Sequence, residues 1–158
     1  MNSSEVLLLA CLIGVVAGLR SMTAPAAVAW AAHLNWLDLH NTRLSFMGST
    51  AAVVIFTLLA IVELIADKLP TTPSRLEPAG LIGRIMLGAV AGAGVALAGT
   101  QSLAFGAALG AAGGVAGAFV GHAVRTRLVK ALKVPDFVAA LLEDAVAIGG
   151  GLFIVSRF

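Results

Sequence analysis

Charge is scarce in this chain, and that scarcity decides its solvent. Only 11% of the 158 residues are Asp, Glu, Lys or Arg, whereas 59% are apolar and the mean hydropathy is +1.01. A soluble domain carries about 25% charged residues, so this chain has too little charge to cover a water-facing surface. Its partner is the lipid bilayer. Cysteine is nearly lacking too: Cys11 stands alone inside an apolar run, which excludes a disulfide framework and a cysteine metal cluster. His33, His40 and His122 show no Cys/His ligand pattern, so zinc is not indicated and no cofactor is called for. The formal net charge of +2 gives no ground for a nucleic-acid partner. Met1 to Glu5 lacks the positive start of a secretory signal, and the apolar stretch that follows is too long for one, so it reads as a retained first span.

What is present is a series of long apolar runs. Each crossing of a ~30 Å hydrocarbon layer takes roughly 20 residues. The runs predict an all-α membrane protein, one integral domain over 1–158, with about five spans at 6–34, 47–66, 79–99, 102–124 and 137–156. Ser3 or Ser4 with Glu5 is expected to cap the first helix. The polar link from Asn35 to Ser45 holds Trp36, which with Trp30 suits a membrane interface. The link Pro70 to Pro78 contains three prolines and cannot be helical throughout. Gly99 to Ser102 is so short that the third and fourth spans must form a tight hairpin. Arg125 to Asp136 reads as a basic loop. With five crossings, Lys68, Arg75, Arg125, Arg127, Lys130 and Lys133 share the N-terminal side, against Arg43 and Arg157 opposite. The positive-inside rule then puts the N-terminus in the cytoplasm. A re-entrant last segment, which Gly149-Gly150-Gly151 would permit, returns the C-terminus to that side.

Because charges are few, those inside the spans are informative. A central Asp, Arg or Lys costs ~2.5–3.5 kcal/mol on insertion scales, so each needs a partner, water or a purpose. Arg20 lies about 21 Å beyond Val6 at 1.5 Å per residue, at or past the midplane. Gly18, Thr23 and Pro25 around it predict a helix interruption, with Thr23 capping the second half and Pro25 in its first turn. Unwound backbone at such depth binds substrates and ions in transporters, which makes Arg20, Ser21 and Thr23 candidate binding residues. Glu63 and Asp67 are one helical turn apart on one face. The five-span topology brings Glu63, Asp67, Arg84, Glu143 and Asp144 to one shallow cytoplasmic level, with Arg20 at its deeper end. Set against Arg84 and Lys68, the four acidic residues leave a surplus for a cation or proton. The bland reading is a set of helix-end ion pairs that only fix register. No particular metal is indicated.

The fourth span is rich in glycine. Gly106, Gly110 and Gly114 form one row spaced four apart, and Gly113, Gly117 and Gly121 form another. Such a glycine zipper lets backbones approach closely, placing the helix at the centre or at the interface of a homo-oligomer. Arg20 followed by Glu63 echoes Arg84 followed by Glu143, as an internal repeat would.

Three segments together, Gly18 to Pro25, Glu63 to Pro70 with Thr72 to Arg75, and Glu143 to Gly150, resemble an uncharacterised bacterial membrane family, domain of unknown function number 4126. The resemblance covers nearly the whole chain. It implies a small multi-pass protein of the bacterial inner membrane and supplies no activity, substrate or site residue.

The functional expectation is therefore a small transporter or channel for an ion or small solute, proton- or cation-coupled, built around the charged site. Its main rival is a structural or assembly protein that oligomerises through the glycine zipper. An intramembrane enzyme ranks third, because no nucleophile–base motif or metal signature accompanies the carboxylates.

Overall fold

The computed structural model describes residues 1–68, 76–133 and 135–158. Pro70 and Pro73 of the three-proline link, Thr72, Ser74 and Arg75 lie outside the described residues, whereas Pro78 opens a helix. Among those described, the chain is all-helical, with six α-helices rather than five: α1 (Ser3–Leu19), α2 (Thr23–His33), α3 (Thr50–Ala66), α4 (Pro78–Ala98), α5 (Leu103–Leu132) and α6 (Asp136–Val155). A 3-10 turn, Ser45–Gly48, precedes α3. Three helices are long and apolar enough to cross a membrane, Pro78–Ala98, Leu103–Ala131 and Asp136–Val155, while Ser3–Leu19 and Thr50–Ala66 are apolar but shorter.

The extra helix comes from the break at Arg20, which turns out to be a reversal of direction. Arg20 leaves the helical region with φ −138° and ψ 107°. After it, α2 runs back antiparallel to α1. Its start meets Glu63 near the end of α3, its middle pairs Trp30 with Thr57, and its end pairs His33 with Gly48 before α3 begins. Along α6, Asp144 lies at Arg20 and Gly151 at Ala27, so those two helices run parallel. The 6–34 run is thus a helical hairpin, not one kinked span. Apolar content over two short helices looks the same in a sequence window as one long one, which is why composition could not separate them.

This hairpin changes which residues share an end. Both termini gather beside the α4–α5 turn: Met1, Val6, Gly99, Thr100, Arg157 and Phe158 line one pocket there. Arg20, Lys68, Arg84 and Arg125 lie at the opposite end, joined through the carboxylates of α3 and α6. The expectation that the N-terminus shares a side with the basic residues therefore fails.

α2 is the shortest α-helix yet the most enclosed, with nine of its 11 residues buried. Its alanines let α1, α3, α4 and α6 approach from all sides. A second close contact joins α1, α4 and α5. A methyl group at Gly14 or Gly88 would strike the Gly110 carbonyl, one at Gly92 the Gly106 carbonyl, and one at Gly113 or Gly117 the carbonyls of Cys11 or Val15. Gly114 faces the Arg84 carbonyl, and Gly18 packs on Gly114 and Gly117. Gly121, also buried, looks towards α6. Apart from Gly121, which borders a groove, both glycine rows are thus packed against α1 and α4 of the same chain. The core beside them includes Ile13, Val28, Val95 and Met47, with Leu37 and Leu39 folded in from the polar link.

Other boundaries differ for local reasons. The α1 cap is Asn2, whose N–H donates to Glu5 at 2.9 Å, not Ser3 or Ser4. α5 continues through the expected basic loop, since Arg, Leu, Val, Lys and Ala all sustain a helix and no breaker intervenes. It ends at Lys133, in the left-handed region at φ 52°. α6 is continuous through Gly149 to Gly151. The arginine echo does not map onto equivalent places, because Arg20 closes α1 whereas Arg84 stands near the start of α4.

Candidate functional site

A helix break creates two unsatisfied ends, and here two side chains close them. At the end of α1, Arg84 Nε donates to the Gly18 carbonyl at 3.1 Å. At the start of α2, Glu63 Oε1 accepts from Ser21 N–H at 2.8 Å and from the Ser21 hydroxyl at 2.6 Å, while Oε2 accepts from Met22 N–H at 2.8 Å. A cation thus sits at a helix C-terminus and an anion at an N-terminus, the polarity that the helix dipole favours. Arg84 Nη2 and Glu63 Oε1 then face each other at 3.9 Å. Thr23 is not the cap. It lies inside α2, buried, and its hydroxyl has no hydrogen-bond partner among the described residues.

Arg20 itself is fully buried, at 0% exposure. Its guanidinium is ion-paired to Asp67 through Nη1, donates to Asp144 Oδ1 through Nε at 2.6 Å, and lies 3.8 Å from Glu143 through Nη2. An arginine fork suits this task because it spreads one charge over several fixed donors. Arg20 is not deeper than the acidic residues: the chain turns at it, so it ends α1 at their level.

The structure thus brings together Arg20, Ser21, Glu63, Asp67, Arg84, Glu143 and Asp144, with Thr23 adjoining. Two further cations join them. Lys68 donates to Asp144 Oδ2 at 2.6 Å and to the Leu64 carbonyl at 2.7 Å. Arg125 lies 3.5 Å from Glu143 and donates to Asp136 Oδ1 at 2.9 Å. Arg125 was legible in principle, being the next member of the row Gly113, Gly117, Gly121. Lys68 was legible as a counter-charge beside Asp67, though not as the partner of Asp144.

Among the described residues, Arg20, Lys68, Arg84 and Arg125 stand against Glu63, Asp67, Glu143 and Asp144, with Asp136 as a further carboxylate on Arg125. The expected carboxylate surplus thus narrows to Asp136, whose side chain is 64% exposed. Opposite charges must nearly balance where water is sparse, because an uncompensated buried charge carries a desolvation penalty of several kcal/mol. The cluster is not sealed, however: the Lys68 side chain keeps 21% of its exposure and Asp67 keeps 14%. The pairings are also shared. Asp144 serves Arg20 and Lys68, and Glu143 stands between Arg20 and Arg125.

Fold and site together define an all-helical membrane-type protein with a charged cluster at one end of its bundle. A family model described as Domain of unknown function (DUF4126) matches residues 7–156, and the chain belongs to that family. No curated protein and no solved structure matches it.

Proposed function

We propose that the protein is a small membrane carrier or channel for a proton or small cation, with the Arg20 cluster as its charged site. The carrying observation is the sharing of Asp144 and Glu143 between cations on different helices. A carboxylate that already divides its charge between two partners can release one to a passing cation or proton without being left bare. Alternating states need such near-equivalent pairings. The α2 N-terminus is held by Glu63, so the reading favours a cationic over an anionic substrate.

The basic end, carrying Lys68, Arg125, Arg127, Lys130 and Lys133, is assigned to the cytoplasm by the positive-inside rule. Because α1 and α2 form a hairpin, both termini then lie outside, reversing the orientation expected from five spans. A bacterial inner membrane is the setting that the family resemblance suggests.

A structural role is the second reading. The near balance of cations and carboxylates among the described residues favours it, whereas the packing of the glycine rows against α1 and α4 counts against its form as an oligomer joined by a glycine zipper. Flux separates the two. In proteoliposomes, wild type should conduct protons or a monovalent cation, and Glu63→Gln, Asp67→Asn and Glu143→Gln should each lower that flux while remaining folded. Equal flux in all four proteins rejects the site. No flux above empty vesicles for any cation tested supports the structural role.

A further inference from the structure

An apolar groove of about 250 Å³ runs between α1, α5 and α6 and meets the charged cluster only at Glu143 and Arg125. Leu19, Val120, Val124, Leu142 and Val146 line it, and Gly117 and Gly121 open its wall by lacking side chains. At its polar end stand Arg125 and Glu143. Val120, Leu142 and Val146 are all more than half exposed, so the groove opens sideways.

Its level along the bundle is informative. Arg125 lies about 33 Å along α5 from Leu103 at 1.5 Å per residue, which matches one edge of a ~30 Å hydrocarbon layer whose other edge is at Leu103. The apolar part of the groove then faces acyl chains and Arg125 faces headgroups. Arg127 is not part of the lining, but it is exposed, lies one helical turn beyond Val124, and has no ion pair among the described residues. An apolar slot with the Arg125 guanidinium at its end, and the Arg127 side chain long enough to swing to the same headgroup depth, is complementary to a lipid with an acyl chain and a negative head.

We propose that this groove is a binding site for an anionic phospholipid, with one acyl chain between α5 and α6 and its phosphate on Arg125 and Arg127. The phosphate competes with Asp136 and Glu143 for Arg125, and Glu143 also faces Arg20. Lipid occupancy is thereby coupled to the charged cluster through one carboxylate. The site does not depend on whether the cluster transports anything.

The test uses the full chain in a neutral detergent, titrated with phosphatidylglycerol or with phosphatidylcholine of identical chains and read by native mass spectrometry. Phosphatidylglycerol should bind about tenfold tighter, because the choline of phosphatidylcholine offsets the charge that its phosphate presents to the guanidiniums. Arg127→Gln and Arg125→Gln should bring it down towards phosphatidylcholine, and Val146→Trp should weaken both lipids by filling the slot. Val146 and Arg127 are exposed, so those two variants keep the fold even where Arg125→Gln does not. Equal affinity of wild type for the two lipids, or unaltered binding by Val146→Trp and Arg127→Gln, overturns the proposal.

Discussion

Glu63 and Arg84 close the two ends of one helix break and face each other across it at 3.9 Å. Glu63 takes the N–H groups that open α2, and Arg84 takes a carbonyl that ends α1. Neither residue is near the break in sequence, yet together they let the chain reverse inside an apolar bundle without bare backbone groups.

Glu63→Gln should therefore destabilise the fold by about 1–3 kcal/mol, because an amide nitrogen must replace one acceptor that now faces an N–H group. Ser21→Ala should lose only about 1 kcal/mol, since it removes one of three bonds to that carboxylate. Reversible unfolding in mixed micelles measures both. A Glu63→Gln protein as stable as wild type argues against the capping role.

Arg20→Met should be the most damaging single change in the cluster. It leaves Asp67 and Asp144 without their central cation, at a cost of about 3–5 kcal/mol. Adding Asp144→Asn should recover part of that loss. A double-mutant cycle checks this, and strict additivity is the adverse outcome.

Glycine substitutions should divide sharply by position. Gly110→Ala drives a methyl into the Gly88 carbonyl and should cost at least about 1–3 kcal/mol. At Gly149 an added methyl meets nothing within 4 Å, so Gly149→Ala should be neutral or stabilise by up to about 1 kcal/mol through helix propensity. Gly113→Leu should lower monomer stability rather than shift oligomer size. Thermal melts with size analysis in detergent test all three.

The hairpin makes a topological prediction. In a Cys11→Ala background, single cysteines replacing Asn2 and Ser156 should react with a membrane-impermeant maleimide from the same side, and one replacing Lys130 from the other. Labelling of positions 2 and 130 from one side would restore the single first span.

The sequence by itself determined the solvent, the helical class and most members of the charged cluster. Those properties follow from composition and from residues whose burial is costly wherever they sit: Arg20, Glu63, Asp67, Arg84, Glu143 and Asp144 were legible because lipid tolerates none of them alone. It also marked the break, since Gly18 and Pro25 act locally on the backbone. Direction was different. Whether the chain after Arg20 continues or turns back depends on what can close the break, and those groups come from α3 and α4, over 40 residues away. Only the tertiary structure could decide that, and with it the end of the bundle at which each terminus lies. The pairing was hidden for the same reason: Arg125 looks like a loop residue in the sequence, and only the packing of α3, α5 and α6 brings it to Glu143 and Lys68 to Asp144. Composition acts on each residue separately, whereas ion pairing between helices depends on their relative directions, which no single segment encodes.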